Sequence, residues 1–162
     1  MRNLDDKIPG APNFQYKEFV YSSTALRLGM SNLPTKESEW IAIEKVAVNI
    51  LQPVRMKFGR LRISSGFRSP IVNKRVGGSG TSNHCRGQAA DIEPIEIGVS
   101  LFDILEYVHD YLEHRELIAE YFPNGWVHVA YRENANAKIL KLKDDNHDFD
   151  KVELSHIANI YK

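Results

Sequence analysis

A single cysteine, Cys85, stands among the 162 residues, so no disulfide can close within the chain. The fold must hold by packing alone, as expected of a reducing compartment such as the cytosol. Net charge is also missing: 21 Lys and Arg balance 21 Asp and Glu. That removes the basic excess a nucleic-acid partner would call for. No stretch reaches the roughly 20 apolar residues needed to cross a bilayer. The opening residues "MRNLDDKIPGAPNF" hold no apolar run that could act as a signal peptide. The expectation is therefore synthesis in the cytoplasm, no membrane insertion and a monomer. Repeats, low-complexity tracts and long linkers are absent too, so residues 1–162 read as one domain. What remains is an ordinary globular balance, 43% hydrophobic and 26% charged.

The periodicities alternate between helix and strand. Pro9 and Pro12 suggest an extended lead-in. "NFQYKEFVYSSTALRLGM" suggests two short helical pieces, the second capped by Ser22 or Ser23 and stopped near Gly29. Thr35 can cap a longer helix, with Glu37 and Glu39 as favourable charges in its first turn. In that helix Trp40, Ile43, Ala47, Ile50, Val54 and Phe58 recur at helical spacing. Pro53 should kink or break it, and Gly59 should end it. "LRIS" at 61–64 reads as a strand.

Ser100, with Asp103 three residues on, opens another helix, whose buried stripe is Phe102, Leu105, Val108 and Leu112. "ELIAEY" and "WVHVAY" are β-prone runs joined by "FPNG", a hairpin in which Gly readily takes positive φ. "KILKL" at 138–142 reads as a strand, "KLKDDNHDFDK" as a solvated charge run, and the tail from Asp150 as a short helix. Together these predict an α+β fold with a small, mostly antiparallel sheet flanked by helices.

"SSGFRSPIVNKRVGGSGTSNHCRGQAAD" at 64–91 gathers glycine and serine around one histidine and one aspartate. His84 lies in a loop that can turn at Gly87 into a strand carrying Asp91. His128 sits inside the second strand of the hairpin, held to one face. Such residues suit a zinc site, which takes nitrogen and carboxylate ligands and, when catalytic, leaves one position open. They equally suit a surface histidine near an element end and an aspartate capping a turn.

"SGFRSP", "GGSGTSNHCRGQAADI" and "GWVHVAY" closely resemble the zinc D-Ala-D-Ala carboxypeptidase family of peptidoglycan peptidases, whose fold is shared with the hedgehog signalling domain. "YKEFVYSSTALRLGMSNLP" and "LQPVRMKFG" resemble the N-terminal part of phage-encoded and bacterial members, so the likeness covers about residues 14–132. It implies one Zn2+, with His84, Asp91 and His128 as ligands through the H-x(6)-D and W-x-H elements. Arg68 matches the arginine that binds the substrate carbonyl or developing oxyanion; a structural salt bridge is the other reading. Ser82 matches a serine that anchors substrate, or forms a turn. Trp126 is core or a wall of the substrate groove.

Many relatives carry a carboxylate three residues before the last histidine, where this chain has Gly125. Glu120 is then the candidate base, or a plain strand-end carboxylate. Cys85 is expected to be a small, at least half-buried thiol, and His109 and His114 to be solvated. The function implied is hydrolysis of peptidoglycan stem peptides, by a phage-type endolysin delivered through a holin or by a D,D-carboxypeptidase. The rival is a phage structural or binding module that keeps the metal without catalysis.

Overall fold

The computed structural model describes residues 2–134 and 138–161. Its main sheet has six strands. They are β3 (Leu61–Ser65), β4 (Ala89–Pro94), β5 (Glu116–Glu120), β6 (Trp126–Ala130), β7 (Ile139–Lys143) and β8 (Asp148–Lys151), in the spatial order β3-β4-β6-β5-β7-β8. All neighbours are antiparallel except β5 and β7, which run parallel. The α+β, mostly antiparallel architecture is the one the patterning predicts. The lead-in is more ordered than expected: β1 (Lys7–Ile8) and β2 (Ala11–Gln15) form a separate small antiparallel pair.

Strand periodicity divides the sheet into two faces. Leu117, Ala119, Val127, Val129, Ala90, Ile92, Leu140 and Leu142 point into the core. The helix α6 (Leu101–Tyr111) covers this face across β4, β5 and β6, with Ile104, Leu105 and Val108 fully buried. Its start is the capping box foreseen: Ser100 Oγ accepts from Asp103 N–H at 3.0 Å, and Asp103 accepts from Ser100 N–H at 2.7 Å. The opposite face carries Asp91, His128, Glu116, Glu120 and Lys141, and this is the face that matters for function.

The N-terminal helices follow the sequence closely. The first two are α1 (Tyr16–Val20) and α2 (Ser23–Arg27), and Ser22 caps α2 through Ala25 N–H at 3.2 Å. The next, α3 (Glu37–Val46), begins one residue later than expected. Lys36, not Thr35, is the cap position, because the Glu39 carboxylate folds back to accept from both Thr35 N–H at 2.9 Å and Lys36 N–H at 3.1 Å. A π-helical turn, Ala47–Leu51, then leads into α4 (Gln52–Phe58). Pro53 lies at the start of α4 and lacks the N–H of the i→i−4 ladder, so the helix widens locally instead of breaking.

Two C-terminal expectations are corrected. The charge-rich "KLKDDNHDFDK" is solvated along β8 but is not irregular: it forms the β7–β8 hairpin. Asp144 organises its turn by accepting from Asn146 N–H, His147 N–H and His147 Nδ1 at 2.8, 2.9 and 2.8 Å, the usual way an aspartate builds a turn. His114 is buried rather than solvated, because the chain leaves α6 before it and turns inward to β5. The last helix, α7 (Leu154–Tyr161), inserts Ile157 into the core and packs on α6.

Candidate metal centre

Register brings two of the three candidate ligands together. Asp91 on β4 lies directly opposite His128 on β6. Side chains paired this way emerge on the same face, with Cβ atoms about 5 Å apart. The third, His84, arrives from a short 3-10 helix, Asn83–Arg86. Ser82 Oγ caps that helix by accepting from His84 N–H at 3.3 Å, and Arg86 closes the loop on Thr81 O at 2.8 Å. Gly87 ends the helix with φ +70, and a Cβ there would sit 2.5 Å from Glu39 O of α3. Both facts require glycine.

The side chains of His84, Asp91 and His128 are 3%, 6% and 8% exposed, a degree of burial at which ionisable groups need partners. They find them in each other. His84 Nε2 lies 3.1 Å from His128 Nδ1 and 3.2 Å from Asp91 Oδ1, and His128 Nδ1 lies 2.8 Å from the same oxygen. Ligands held at 2.0–2.1 Å by a tetrahedral zinc are about 3.3 Å apart. The triangle is therefore a few tenths of an ångström tighter than zinc needs.

His84 Nδ1 donates to Gly66 O at 2.6 Å, which leaves Nε2 as the lone-pair nitrogen. Burial lowers the His84 pKa and keeps the ring neutral, as a ligand must be. Burial would raise Asp91, but His84 and His128 outweigh it and hold the carboxyl far below its usual range. Burial would likewise lower His128, yet Asp91 pulls it above its ordinary value. An anionic carboxylate draws a cation to this spot, and the donor set fits a divalent ion such as zinc. Among the described residues this is the group of His, Cys, Asp and Glu side chains whose ligand atoms converge tightly enough for that. Cys85 is half-buried, burial raises its thiol pKa, and it is not part of the group.

The groove over the centre has a volume of about 660 Å³, and Arg68, Ser82, Glu120 and Trp126 all line it. Arg68 is already engaged. Its Nη2 donates to Asp91 Oδ2 at 2.8 Å and its Nε to Ser65 Oγ at 2.8 Å. The salt-bridge reading of Arg68 is thus real in the geometry, while three of its five N–H donors are left for the groove side. Ser82 combines its turn-capping bond with a place on the groove wall. Trp126 is half-buried and is also a wall.

Glu120 pairs with Trp126 across the mouth of the β5–β6 hairpin and stands two residues along the strand from Ile118, the partner of His128. Burial first, then the Asp91 charge, raises its pKa. Gly125 has a steric reason. A Cβ there would meet Glu120 O at 1.8 Å, so no carboxylate-bearing residue fits this turn. The left-handed residue of the turn is Tyr121, at φ 53, rather than the glycine expected from "FPNG".

Asn32 escaped the sequence reading. It is buried, its Nδ2 donates to Val20 O and Phe67 O at 2.9 Å each, and its Oδ1 accepts from Ser69 N–H at 2.8 Å. These bonds clamp the backbone on both sides of Arg68. No sequence signal marks such an asparagine, because its partners are backbone atoms of remote segments.

Comparison with curated proteins finds no match. The family model described as Peptidase M15 matches residues 12–130, from β2 to the end of β6 and across all the candidate ligands.

Proposed function

The chain belongs to the peptidase M15 family, and on that premise we propose that it hydrolyses the stem peptides of peptidoglycan with His84, Asp91 and His128 holding one zinc. Peptidases of this family are zinc-dependent metallopeptidases, and the observation that carries the assignment is the buried triangle of donor atoms facing an open groove. Zinc, when bound, supplies Lewis acidity at the scissile carbonyl and favours a nucleophile at neutral pH.

The other roles fall to the chain's own side chains. Glu120, half-buried on the groove wall and raised in pKa by that burial, takes the proton of the attacking water and passes it to the leaving amine. Arg68, fixed by Asp91 and Ser65, turns its remaining donors to the oxygen on which negative charge develops. Ser82 and Trp126 line the bed in which the peptide lies. The non-catalytic reading drew its support from Gly125. The crowding at Glu120 O gives that glycine a steric reason, so it does not by itself favour the non-catalytic reading.

Internal cleavage is favoured over trimming of a chain end. Beyond Arg68, Val76 and Trp126 the groove meets a second trough of about 310 Å³, lined by Tyr21, Ser22, Ser65 and Phe67 among others. A peptide can extend on both sides of the centre. A lytic, phage-type role with holin-type delivery draws on the resemblance of residues 16–34 and 51–59 to phage-encoded members, which bacterial members share. Among the described residues no helix is long and apolar enough to cross a membrane.

The test is digestion of purified peptidoglycan by the zinc-loaded protein, with mass spectrometry of the products. Cut cross-links and new amino groups are expected. Release of free D-Ala alone would make the enzyme a carboxypeptidase, and an unchanged wall would make the chain a binding module.

A further inference from the structure

One row of residues crosses the groove face of the sheet. Asp91 on β4 is opposite His128 on β6, His128 is opposite Ile118 on β5, and Ile118 is beside Lys141 on β7. Strands are spaced about 4.8 Å apart, so Lys141 stands about 10 Å along the groove from His128. An extended peptide covers that span in about three residues at about 3.3 Å each. Lys141 lies beyond the family match, and nothing in the metal chemistry uses it.

Lys141 does not stand alone. Its ammonium donates to Glu116 Oε1, while Glu116 Oε2 accepts from Asn83 Nδ2 at 3.0 Å. Both members of the pair line the groove, with side chains 24% and 17% exposed for Lys141 and Glu116. Each has capacity left. An ammonium carries three donors, and this one has one carboxylate partner among the described residues. A carboxylate offers about four lone-pair directions, and this one uses two.

A ligand meeting this pair meets both signs at once. A lone ammonium is attracted by Glu116 but repelled by Lys141. A lone carboxylate suffers the reverse. A group carrying an ammonium and a carboxylate on one carbon satisfies both.

We propose that Lys141 and Glu116 form a specificity site that selects stem peptides with a zwitterionic side-chain end, as in diaminopimelate, over those ending in an ammonium alone, as in lysine. This rests on the reading of the chain as a stem-peptide hydrolase. The carboxylate is held by the spare donors of Lys141, and the amino group by the free lone pairs of Glu116. Asn83 keeps Glu116 in place from the segment next to His84, so the specificity site and the centre share one wall.

The experiment uses the full chain, zinc-loaded and carrying Glu120→Gln to slow turnover. It is titrated calorimetrically with two pentapeptides, L-Ala–γ-D-Glu–X–D-Ala–D-Ala, with X diaminopimelate or lysine. The diaminopimelate peptide is expected to bind roughly tenfold more tightly, the scale of one charge-assisted hydrogen bond. Adding Lys141→Met should bring the two affinities together by weakening the diaminopimelate peptide, while the lysine peptide, relieved of the Lys141 charge, binds at least as tightly as before. Lys141→Arg, which keeps a donor for the carboxylate, should restore the preference. Zinc content should match the parent in both.

Equal binding of the two peptides by the chain with Lys141 intact overturns the specificity site and leaves the peptidase reading standing. Equal weakening of both peptides by Lys141→Met, with zinc lost, makes the pair a structural brace and also overturns it. If neither peptide binds, the peptidase reading fails and the specificity site with it.

Discussion

On one side of β5 the sheet continues through β6 and β4, antiparallel throughout and buried on both faces, and here a charged triad sits with almost no exposure. On the other side β7 joins in parallel, β8 is exposed along its whole length, and the residues facing the groove are an ion pair open to water. The two flanks share a strand and a groove but differ in what holds their charges. In the inner flank, charge persists because each ionisable group has another to balance it and register fixes them in contact. In the outer flank solvent does part of that work, so single exposed pairs there contribute little to stability. Family membership follows the same line: the match ends at residue 130, before β7. On the proposed function, the inner flank would carry the chemistry and the outer flank the substrate preference.

The sharpest way to break this contrast is to remove an inner charge. His84→Ala, Asp91→Ala or His128→Ala should each lose most of the bound zinc by elemental analysis and reduce hydrolysis to background. Three ligands are the minimum for a catalytic site. Asp91→Ala should also be the least stable of the three, because it strips the partner from both histidines and Arg68. Full zinc in all three variants would move the centre elsewhere.

Next in size is Glu120→Gln. It should keep zinc and lose roughly 100-fold or more in kcat, the scale of a positioned acid–base group. A wild-type kcat would return Glu120 to the status of a strand-end carboxylate.

Arg68→Lys comes third. It keeps the charge but not the planar fork that reaches Asp91 and the groove together. The expected result is zinc near the wild-type level and kcat/KM down by roughly tenfold or more, a smaller loss than deleting an oxyanion donor outright. If Arg68→Ala hydrolyses substrate normally, Arg68 only braces Asp91.

The smallest effect belongs to the outer flank. Desolvation alone would raise Asp144, but hydrogen bonds from His147, Asn146 N–H and the Tyr161 hydroxyl outweigh it and hold the pKa at about 2. A folded-state value below the ordinary 3.8 adds stability that is present above about pH 4 and is lost as pH falls toward 2. Asp144→Asn should lower Tm by a few degrees at neutral pH and flatten the acid limb of stability, with zinc content untouched. An unaltered melting curve at pH 6 and at pH 3 would show that the hairpin turn holds without this carboxylate.

How much of this was legible in the sequence differs by flank and for physical reasons. The β-prone runs in "ELIAE" and "WVHVA" with the turn signal between them predict β5 and β6, and the capping residues Ser22 and Ser100 predict two helix starts, because those signals are local. The convergence of His84, Asp91 and His128 was readable through motif resemblance, since spacing alone could not distinguish these residues from a turn. The strand β7 was expected from "KILKL", but its partner β8 was missed because "DFDK" carries charges at three of four positions and reads as solvated. The burial of His114 and the clamp by Asn32 depend on segments remote in sequence, which no local pattern encodes. The parallel pairing of β5 with β7 belongs to the same class, and with it the position of Lys141.

The centre is assembled from unequal parts. Asp91 and His128 are fixed by strand pairing, whereas His84 hangs on a short loop secured by Gly66, Ser82 and Gly87. Two of the three candidate ligands are thus placed by the sheet, and the third by a short 3-10 helix outside it. An incoming ion would land on the rigid pair and be locked by the loop, so capture and retention become separate kinetic steps. Amide exchange should register this as zinc-dependent protection along residues 82–87, with β4 and β6 equally slow whether zinc is there or not. If that protection is found, the off-rate of the ion would measure how often this segment releases His84.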